Sequence, residues 1–271
     1  VGCLNLSQYW RGSGWVLEKI GECAEFTMNN IKEKFWRLIR PSRNALRKAS
    51  QRPRVGKIDW GDFNGTQPIN ANWGFERGTP IDRYYINRFL DRHAEDIRGR
   101  VLEVGDNEYT RVFGGGRVNK SDILSPTTQN PRATVIADLA DPDQVTDELF
   151  DCIICTQTLQ LIFDVRAAIS SLYRFLKPGG VLLLTVPGIS QISPEDRDRS
   201  GDFWRFTAES LHRLIASEFT EHDVKVEAYG NVKSSLGLLH GVSAGEIPEI
   251  ELDVHDEQYP LLVSARVVRS D

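Results

Sequence analysis

The sequence predicts an α/β fold: a doubly wound, seven-stranded, mostly parallel sheet with an antiparallel strand at the carboxyl terminus, preceded by a helical extension. Two observations support this prediction. Between residues 100 and 188, short apolar runs alternate with polar or helical segments, as parallel strands and their connections do. Later, a helical pattern is followed by two strand-like runs, 223–230 and 259–268, which suit an antiparallel pair that closes a sheet.

Each parallel strand is predicted by an apolar run that ends in glycine or in a polar side chain. In chain order, the residues that end the first four runs are Gly105, Asp122, Asp138, and Thr156 with Gln157. Because the carboxyl ends of parallel strands meet at one edge, we expect these groups to line one crevice. Asp122 follows Gly105 by 17 residues, close to the spacing of roughly 20 residues that places a carboxylate beside ribose hydroxyls.

Two helical patterns flank these strands. The first begins with Thr79 as N-cap and Pro80 at the first helical position. Its expected core stripe is Tyr84, Ile86, Phe89 and Leu90, with Asp82, Arg83 and Tyr85 on other faces. The second helix, 207–219, follows a fifth strand at 181–186 and has Thr207 as its N-cap. An insertion at 234–258 is expected to begin with a short helix and to form a lid over the crevice.

The ordered set of motifs resembles the class I S-adenosylmethionine-dependent methyltransferases, over roughly residues 80–268. The segments that carry the resemblance are VLEVG, Asp122, the Ala137–Asp138 pair, FDCIICTQTLQLIFD and LKPGGVLLLTVP. It is most similar to bacterial methyltransferase-domain proteins found around glycan assembly, which share TPIDRYYI, YTRVFGG, PGISQIS, GDFWRFT and YGNV. The resemblance implies a Rossmann-like sheet, S-adenosylmethionine as cofactor and S-adenosylhomocysteine as product.

The resemblance also implies which residues bind the cofactor. The expected set is Arg83 and Tyr84 for the methionine carboxylate and a lid, Glu103, Gly105, Asp106 and Asn107 in the turn, Asp122 at the ribose, Asp138 and Leu139 at the adenine, and Thr156 and Gln157 after the fourth strand. Two alternatives stay open. The first helix could simply pack on the sheet, and Asp106 could cap the next helix instead of facing the sulfonium.

Two departures from the family pattern change what is expected. The usual second glycine of the turn is absent, because Asp106 and Asn107 follow Gly105. After the fourth strand the chain reads LQL at 159–161 where many relatives have Leu-Glu-His, so we expect neither a metal nor a catalytic histidine there. Cys152 and Cys155 have C-x-x-C spacing but should face opposite sides of a strand, which favours buried thiols over zinc.

The acceptor half of the site is predicted from the loops. Methyl transfer from a sulfonium needs alignment and a dry site, and an alcohol acceptor also needs a general base. The base candidates are Asp202, His240 and Glu246, of which His240 and Asp202 are preferred. In the segment GDFWRFT, Trp204 could stack on a sugar while Asp202 and Arg205 bind hydroxyls. The alternatives are a structural hydrogen-bonding role for His240, and aromatic side chains that only wedge this loop to the core.

Charge is distributed unevenly along the chain. Residues 1–57 hold twelve Lys and Arg against four Glu, a net charge of +8, so residues 58–271 carry −13. We predict a basic helical extension and linker at 1–57 and a methyltransferase domain at 58–271. The acidic domain argues against a nucleic-acid acceptor. For the extension, three roles stay open, in this order: packing on the domain, pairing in a homo-oligomer, or peripheral contact with a membrane surface.

No apolar run approaches the roughly 20 residues that span a bilayer, and no signal-peptide pattern is present. Together with cysteines that do not form a disulfide framework, this predicts a cytoplasmic location. The leading functional hypothesis is a methyltransferase acting on a small-molecule or saccharide acceptor, at oxygen. A non-catalytic S-adenosylmethionine-binding or scaffolding module is the second hypothesis. An NAD-dependent oxidoreductase is the third, and the antiparallel ending disfavours it.

Overall fold

The computed structural model describes residues 48–141, 149–220 and 223–270. The chain divides into two compact units, Val1–Gly61 and Asp62–Asp271. The amphipathic helices expected within residues 15–39 lie outside the described residues. All elements of the sheet belong to the second unit.

The described part of the second unit contains seven strands and six α-helices. The strands are β1 (Gly99–Val104), β2 (Val118–Ser125), β3 (Val135–Ile136), β4 (Phe150–Thr156), β5 (Leu176–Pro187), β6 (Val224–Tyr229) and β7 (Leu262–Val268). The helices are α1 (Ile81–Arg92), α2 (Val165–Phe175), α3 (Pro194–Arg199), α4 (Ala208–Ile215), α5 (Val232–His240) and α6 (Glu249–Leu252). Among these described helices, none combines the length and the apolar character that crossing a bilayer requires.

The strands form one sheet in the order β3-β2-β1-β4-β5-β7-β6. All neighbours pair in parallel except β7, which is antiparallel to both β5 and β6. The predicted fold class is therefore confirmed, including the antiparallel strand at the carboxyl terminus. Chain order reverses between β1 and β4, and in such sheets the crevice at this reversal, beyond the carboxyl ends of the strands, is where ligands bind.

Helices cover both faces of the sheet. One apolar core contains α2 and α4, and the other contains α1 and α5. Cys155 belongs to the first core and Cys152 to the second, both as free, buried thiols. Burial raises the pKa of the Cys155 thiol to about 12 and also raises that of Cys152. The prediction that the two thiols face opposite sides of β4 is confirmed.

The face that α1 buries differs from the expected one. Tyr85 is fully buried, and its hydroxyl donates to the Leu252 carbonyl at 2.8 Å. Tyr84 is only half-buried. Successive helical side chains point about 100° apart, so Tyr84 lies beside the buried face and Tyr85 occupies the position in it that was assigned to Tyr84. Ile86, Phe89 and Leu90 are buried as predicted.

The second strand also ends later than expected. Asp122 was predicted to end this strand, but β2 continues to Ser125. Three further residues at about 3.3 Å each place Asp122 roughly 10 Å short of the carboxyl edge. The apolar pair after Asp122, Ile123 and Leu124, is buried inside the sheet and extends the strand.

Candidate active site

The turn after β1 is closed by Glu103. This buried carboxylate accepts hydrogen bonds from the Tyr109 and Thr110 amides at 3.1 and 2.7 Å, and from the Thr110 hydroxyl at 2.7 Å. Burial raises the pKa of Glu103 to about 7, although the hydrogen bonds from Thr110 oppose the shift. Glu103 therefore fixes the shape of the turn from beneath.

Gly105 opens this turn to a ligand. Its φ of 91° lies in the left-handed region that favours glycine. A Cβ built there would meet no protein atom within 4 Å, so the backbone borders open space. The Gly105 carbonyl oxygen accepts a hydrogen bond from Asn130 Nδ2 at 2.8 Å. This is the close backbone approach that a nucleoside cofactor needs at the end of β1.

The two polar residues that replace the second glycine have local partners. Asp106 accepts from the Glu108 amide at 2.9 Å, as a capping residue does. Asn107 donates to Ser121 Oγ at 3.1 Å and accepts from Arg132 at 2.5 Å. Beside them lies a cleft of about 450 Å³, lined by Asp106, Glu108, Arg111, Val112 and Arg132.

Asp122 lies inside the sheet in an ion pair. Its carboxylate accepts from Arg100 Nε at 2.7 Å and from Thr134 Oγ1 at 2.8 Å, and its side chain is 2% exposed. Burial would raise the pKa of Asp122, but the hydrogen bonds from Arg100 and Thr134 and the Arg100 charge bring it below its usual value. The structure therefore places Asp122 away from the edge where a ribose would lie. Its contacts are those of a structural carboxylate.

The adenine-side pair is split between surface and core. Asp138 follows β3 with an exposed side chain, and one carboxylate oxygen accepts from the Ala140 amide at 2.8 Å. Leu139 is buried, and its carbonyl accepts from Ser171 Oγ at 2.8 Å. Of these two residues, Asp138 has its polar side chain at the carboxyl edge, and Leu139 packs in the core and anchors the segment.

The end of β4 carries backbone strain. Gln157 has φ of 48°, which for a residue other than glycine costs on the order of 1–3 kcal/mol. Its amide donates to the Thr185 carbonyl at 2.9 Å. Its side-chain carbonyl accepts weakly from Gln160 Nε2 at 3.4 Å. Thr156 and Gln157 thus reach the carboxyl edge as predicted, next to Gln160, which the prediction did not include.

The two predicted cofactor residues of α1 diverge. The charge of Arg83 acts on Tyr109 in the turn after β1, so its guanidinium lies near that turn. The Arg83 guanidinium donates to the Asp82 carboxylate at 3.2 Å. Tyr84 instead donates to Asp253 at 3.0 Å and accepts from Arg88 at 3.0 Å, beside α6. Arg83 therefore pairs within α1, whereas Tyr84 is bound to the residues around α6.

His240 ends helix α5. This helix starts just beyond the carboxyl end of β6, and at Gly237 a Cβ would come within 2.9 Å of Ile81 at the start of α1. The His240 ring packs against Phe63 with centroids 4.6 Å apart. Its Nδ1 is buried and has no hydrogen-bond partner among the described residues. His240 therefore lies at the end of α5 beside Phe63, with one ring nitrogen that makes no hydrogen bond to the described residues.

Asp202 and Arg205 form a closed ion pair. Both carboxylate oxygens bind Arg205, at 2.5 and 2.9 Å, and one also accepts from the Ser193 amide at 2.9 Å. Arg205 further donates to the carbonyls of Ser190 and Gln191. Burial would raise the pKa of Asp202, but the Arg205 hydrogen bond and charge and the Ser193 amide lower it. The pair fastens the loop after β5 and leaves neither side chain free for an acceptor.

Trp204 lies at the rim of the crevice. Its indole Nε1 donates to the carbonyls of Ile162 and Phe163, at 3.1 and 3.2 Å, and its ring lies 5.9 Å from that of Phe163. Phe206 is buried in the core and wedges the loop, whereas Phe203 and Trp204 remain exposed. The prediction did not include Phe163; its only sequence signal is an aromatic residue just before the Asp164 cap of α2.

The fold and this crevice define a doubly wound sheet with a nucleoside-type site at its carboxyl edge. A family model described as "Methyltransferase domain" matches residues 71–228, more than half of the chain. The chain belongs to this family, and its cofactor is S-adenosylmethionine. Family membership removes the oxidoreductase hypothesis.

Individual proteins show the same similarity. A probable S-adenosylmethionine-dependent methyltransferase of Mycolicibacterium smegmatis is 27% identical over 153 residues, 56% of this chain; the chain spans about half the length of that relative, 51%. A SAM-dependent methyltransferase from Archaeoglobus fulgidus has 15% identity and a TM-score of 0.48, over 74% of this chain and 100% of its own. N-methyltransferase NodS from Bradyrhizobium japonicum, in complex with S-adenosyl-l-homocysteine, has 16% identity and a TM-score of 0.45, over 75% and 95%.

Proposed function

We propose that this chain transfers the methyl group of S-adenosylmethionine to a hydroxyl oxygen of a small-molecule or saccharide acceptor. The observation that carries the oxygen assignment is Nδ1 of His240, which is buried at the end of α5 and has no hydrogen-bond partner among the described residues. A hydroxyl acceptor must lose a proton during transfer, and an imidazole is the side chain best suited to take it.

The cofactor half of the proposal assigns roles to four residues. S-adenosylmethionine, when bound, supplies an activated methyl group. The open backbone at Gly105 admits the nucleoside, and the guanidinium of Arg83 matches the two oxygens of the methionine carboxylate. Asp138 accepts from the adenine amino group at the end of β3, and Gln157 borders the methyl side. We assign no ribose contact to Asp122, because its carboxylate is already paired inside the sheet.

The acceptor half depends on alignment and on exclusion of water. The 70–78 segment supports such a cover, because Gln191 Nε2 donates to the Ala71 carbonyl at 3.1 Å and the Asn70 amide donates to the His240 carbonyl at 3.0 Å. These contacts link the loop after β5 to the end of α5 across the front of the crevice. Holding the acceptor hydroxyl in line with the methyl group accounts for most of the acceleration in such a displacement.

The test is turnover of the His240→Gln variant with radiolabelled S-adenosylmethionine and a panel of hydroxylated small molecules and glycosides. We expect kcat to fall by about 10²–10⁴-fold, the usual contribution of a general base, with S-adenosylhomocysteine affinity unchanged. His212→Gln, on α4, is the matched control. Unchanged kcat in the His240 variant contradicts the general-base role of His240, and no turnover of any hydroxylated compound contradicts hydroxyl oxygen as the acceptor atom.

A non-catalytic S-adenosylmethionine-binding module is the second candidate. Two features favour it. The Asp202–Arg205 ion pair leaves neither side chain free to act on an acceptor, and the turn after β1 lacks the second glycine that is usual in the family. It predicts tight S-adenosylhomocysteine binding by calorimetry without turnover of any panel member. Turnover of one acceptor above the no-enzyme rate excludes it.

The proposed cellular setting is a reducing cytoplasm, where free thiols such as Cys152 and Cys155 persist. Partners other than the acceptor remain predictions. They are a homo-oligomer or a membrane surface contacted through residues 1–57, and no nucleic acid. Light scattering of the full chain tests for the homo-oligomer, and flotation with anionic vesicles tests for membrane binding.

A further inference from the structure

Three exposed aromatic rings lie together at the rim of the crevice. Phe163 follows β4 and is 70% exposed, while Phe203 and Trp204 follow β5 and are 47% and 38% exposed. The Phe163 ring lies 5.4 Å from Phe203 and 5.9 Å from Trp204. We call these three residues the aromatic shelf. Clustered exposed apolar side chains of this size mark binding surfaces more often than isolated ones do.

The aromatic shelf is held rigidly by polar contacts. The Phe203 and Trp204 amides both donate to the Gln160 carbonyl, at 2.7 and 3.3 Å, which ties the loop after β5 to the segment after β4. The Trp204 indole N–H is fixed on two carbonyls of that same segment. The Phe203 ring lies over Gly201, where a Cβ would come within 2.2 Å of it. A ligand would therefore meet rings that are already ordered, which lowers the entropy cost of binding.

Gln160, the residue that anchors the aromatic shelf, also carries an unsatisfied polar atom. It is 8% exposed, and its Oε1 has no hydrogen-bond partner within the described ranges. Its Nε2 has only the long contact to Gln157. A buried carbonyl without a partner is destabilising, and an O–H donor from a ligand would satisfy it.

The ion pair beside the aromatic shelf, Asp202 with Arg205, is already neutralised. Asp202 and Arg205 bind each other, and the remaining Arg205 donors are directed at backbone carbonyls. This pair therefore offers no free charge to a ligand. Flat apolar rings, an unpaired carbonyl acceptor and a neutralised ion pair together suit an uncharged ring that has an apolar face and hydroxyl donors.

We propose that the aromatic shelf and the Gln160 carboxamide bind the sugar ring of the acceptor, an uncharged pyranoside. The C–H face of the sugar packs on Phe163 and Trp204, and a hydroxyl donates to Gln160 Oε1. This inference rests on the proposed function and narrows its substrate class. It assigns binding roles to Phe163, Phe203 and Gln160 in addition to Trp204.

The experiment is saturation-transfer NMR on the full chain loaded with S-adenosylhomocysteine. The probes are methyl glucopyranoside, galactopyranoside and mannopyranoside, with glucuronic acid as an anionic probe and catechol as a planar non-sugar. We expect at least one neutral pyranoside to bind, and Phe163→Ala and Trp204→Ala each to weaken it by roughly tenfold, the loss of one stacking contact. Gln160→Met, which keeps the length but removes the carbonyl, should also weaken it.

Controls separate ring contacts from folding. Phe163→Leu keeps apolar bulk without a ring and should still weaken binding, whereas Trp204→Phe keeps a ring and should retain most of it. Ile250→Ala, an exposed apolar position on α6, should change nothing. Calorimetry with S-adenosylhomocysteine should give the same dissociation constant for every variant, which shows that the cofactor site is intact.

Two results overturn the inference: no neutral pyranoside binds while catechol or glucuronic acid does, or none of the shelf variants weakens pyranoside binding. Failure of the proposed function looks different. If pyranosides bind through the aromatic shelf but are not methylated, the proposed methyl transfer is contradicted and the proposed binding site is retained. If a non-sugar acceptor is methylated and Phe163→Ala has no effect, the proposed sugar-binding site is contradicted and the proposed methyl transfer is retained.

Discussion

The carboxylate of Asp122 accepts a hydrogen bond from Nε of Arg100 at 2.7 Å, inside the sheet between β1 and β2. Asp122 is nearly inaccessible, and Arg100 also lies over the ring of Phe150, 4.8 Å from its centroid. The spacing from Gly105 that suggested a ribose contact thus reflects an internal ion pair. No acidic residue occurs between Asp122 and Asp138, so the end of β2 carries no carboxylate.

The first prediction separates these two roles of Asp122. Asp122→Asn should lower the free energy of unfolding by about 2 kcal/mol, because Arg100 loses a charge-assisted hydrogen bond. Affinity for S-adenosylhomocysteine should stay within twofold. Urea unfolding and calorimetry measure the two quantities. A tenfold loss of S-adenosylhomocysteine affinity with an unchanged free energy of unfolding would instead support a contact between Asp122 and the ribose.

The second prediction concerns pH. Folding raises the pKa of Glu103 from 4.5 to about 7, mainly through burial. The protonated carboxyl is thus favoured in the folded protein, and the associated stability is fully present below pH 4.5 and lost as pH rises through 7. Glu103→Gln does not titrate in this range. The stability of the wild type relative to that variant should therefore fall between pH 4.5 and 7, by at most about 3 kcal/mol.

Denaturant unfolding of both proteins at pH 5, 6, 7 and 8 tests this difference. Subtracting the two curves cancels every other titrating group that both proteins share. A difference that stays flat, or that rises with pH, contradicts the raised pKa of Glu103.

The third prediction uses the open space at Gly105. Gly105→Ala should weaken S-adenosylhomocysteine binding by at least roughly tenfold, because its methyl group fills the space that the cofactor needs. It should also lower stability by about 1–2 kcal/mol through the strain of φ 91°. Gly179→Ala is the matched control, with φ of 75° and equally open surroundings near the amino end of β5. Equal losses of affinity in both variants would argue against a cofactor contact at Gly105.

The fourth prediction isolates the methionine carboxylate. Arg83→Gln should weaken S-adenosylhomocysteine binding by roughly tenfold or more, the value of a charge-assisted hydrogen bond. Binding of 5′-methylthioadenosine, which lacks the carboxylate, should not change. Arg88→Gln is the control, because Arg88 pairs with Glu249 on α6. If both ligands lose affinity equally in the Arg83 variant, the residue shapes the site without touching the carboxylate.

Local pattern was sufficient for the elements of the fold. Apolar runs gave the strands, and the predicted cap at Thr207 accepts from the Ser210 amide at 3.1 Å. The order of motifs gave the family and its cofactor. At Gly105 and Gln157 a glycine or a change from apolar to polar residues marked the strand end correctly, whereas the same signal at Asp122 did not, because β2 continues to Ser125.

The tertiary structure decided which side chains remain available for chemistry. Asp122 and Tyr84 carry suitable groups, yet each is bound to a partner that only the folded chain brings near. The aromatic shelf arose in the same way, since Phe163 and Trp204 are 41 residues apart and meet because β4 and β5 are neighbours. Sequence by itself determined the strands, because short-range patterning encodes them, and the resemblance of its motifs to a known family implied the cofactor. The long-range pairing of side chains determined the site, because a hydrogen bond already made inside the protein is not available to a ligand.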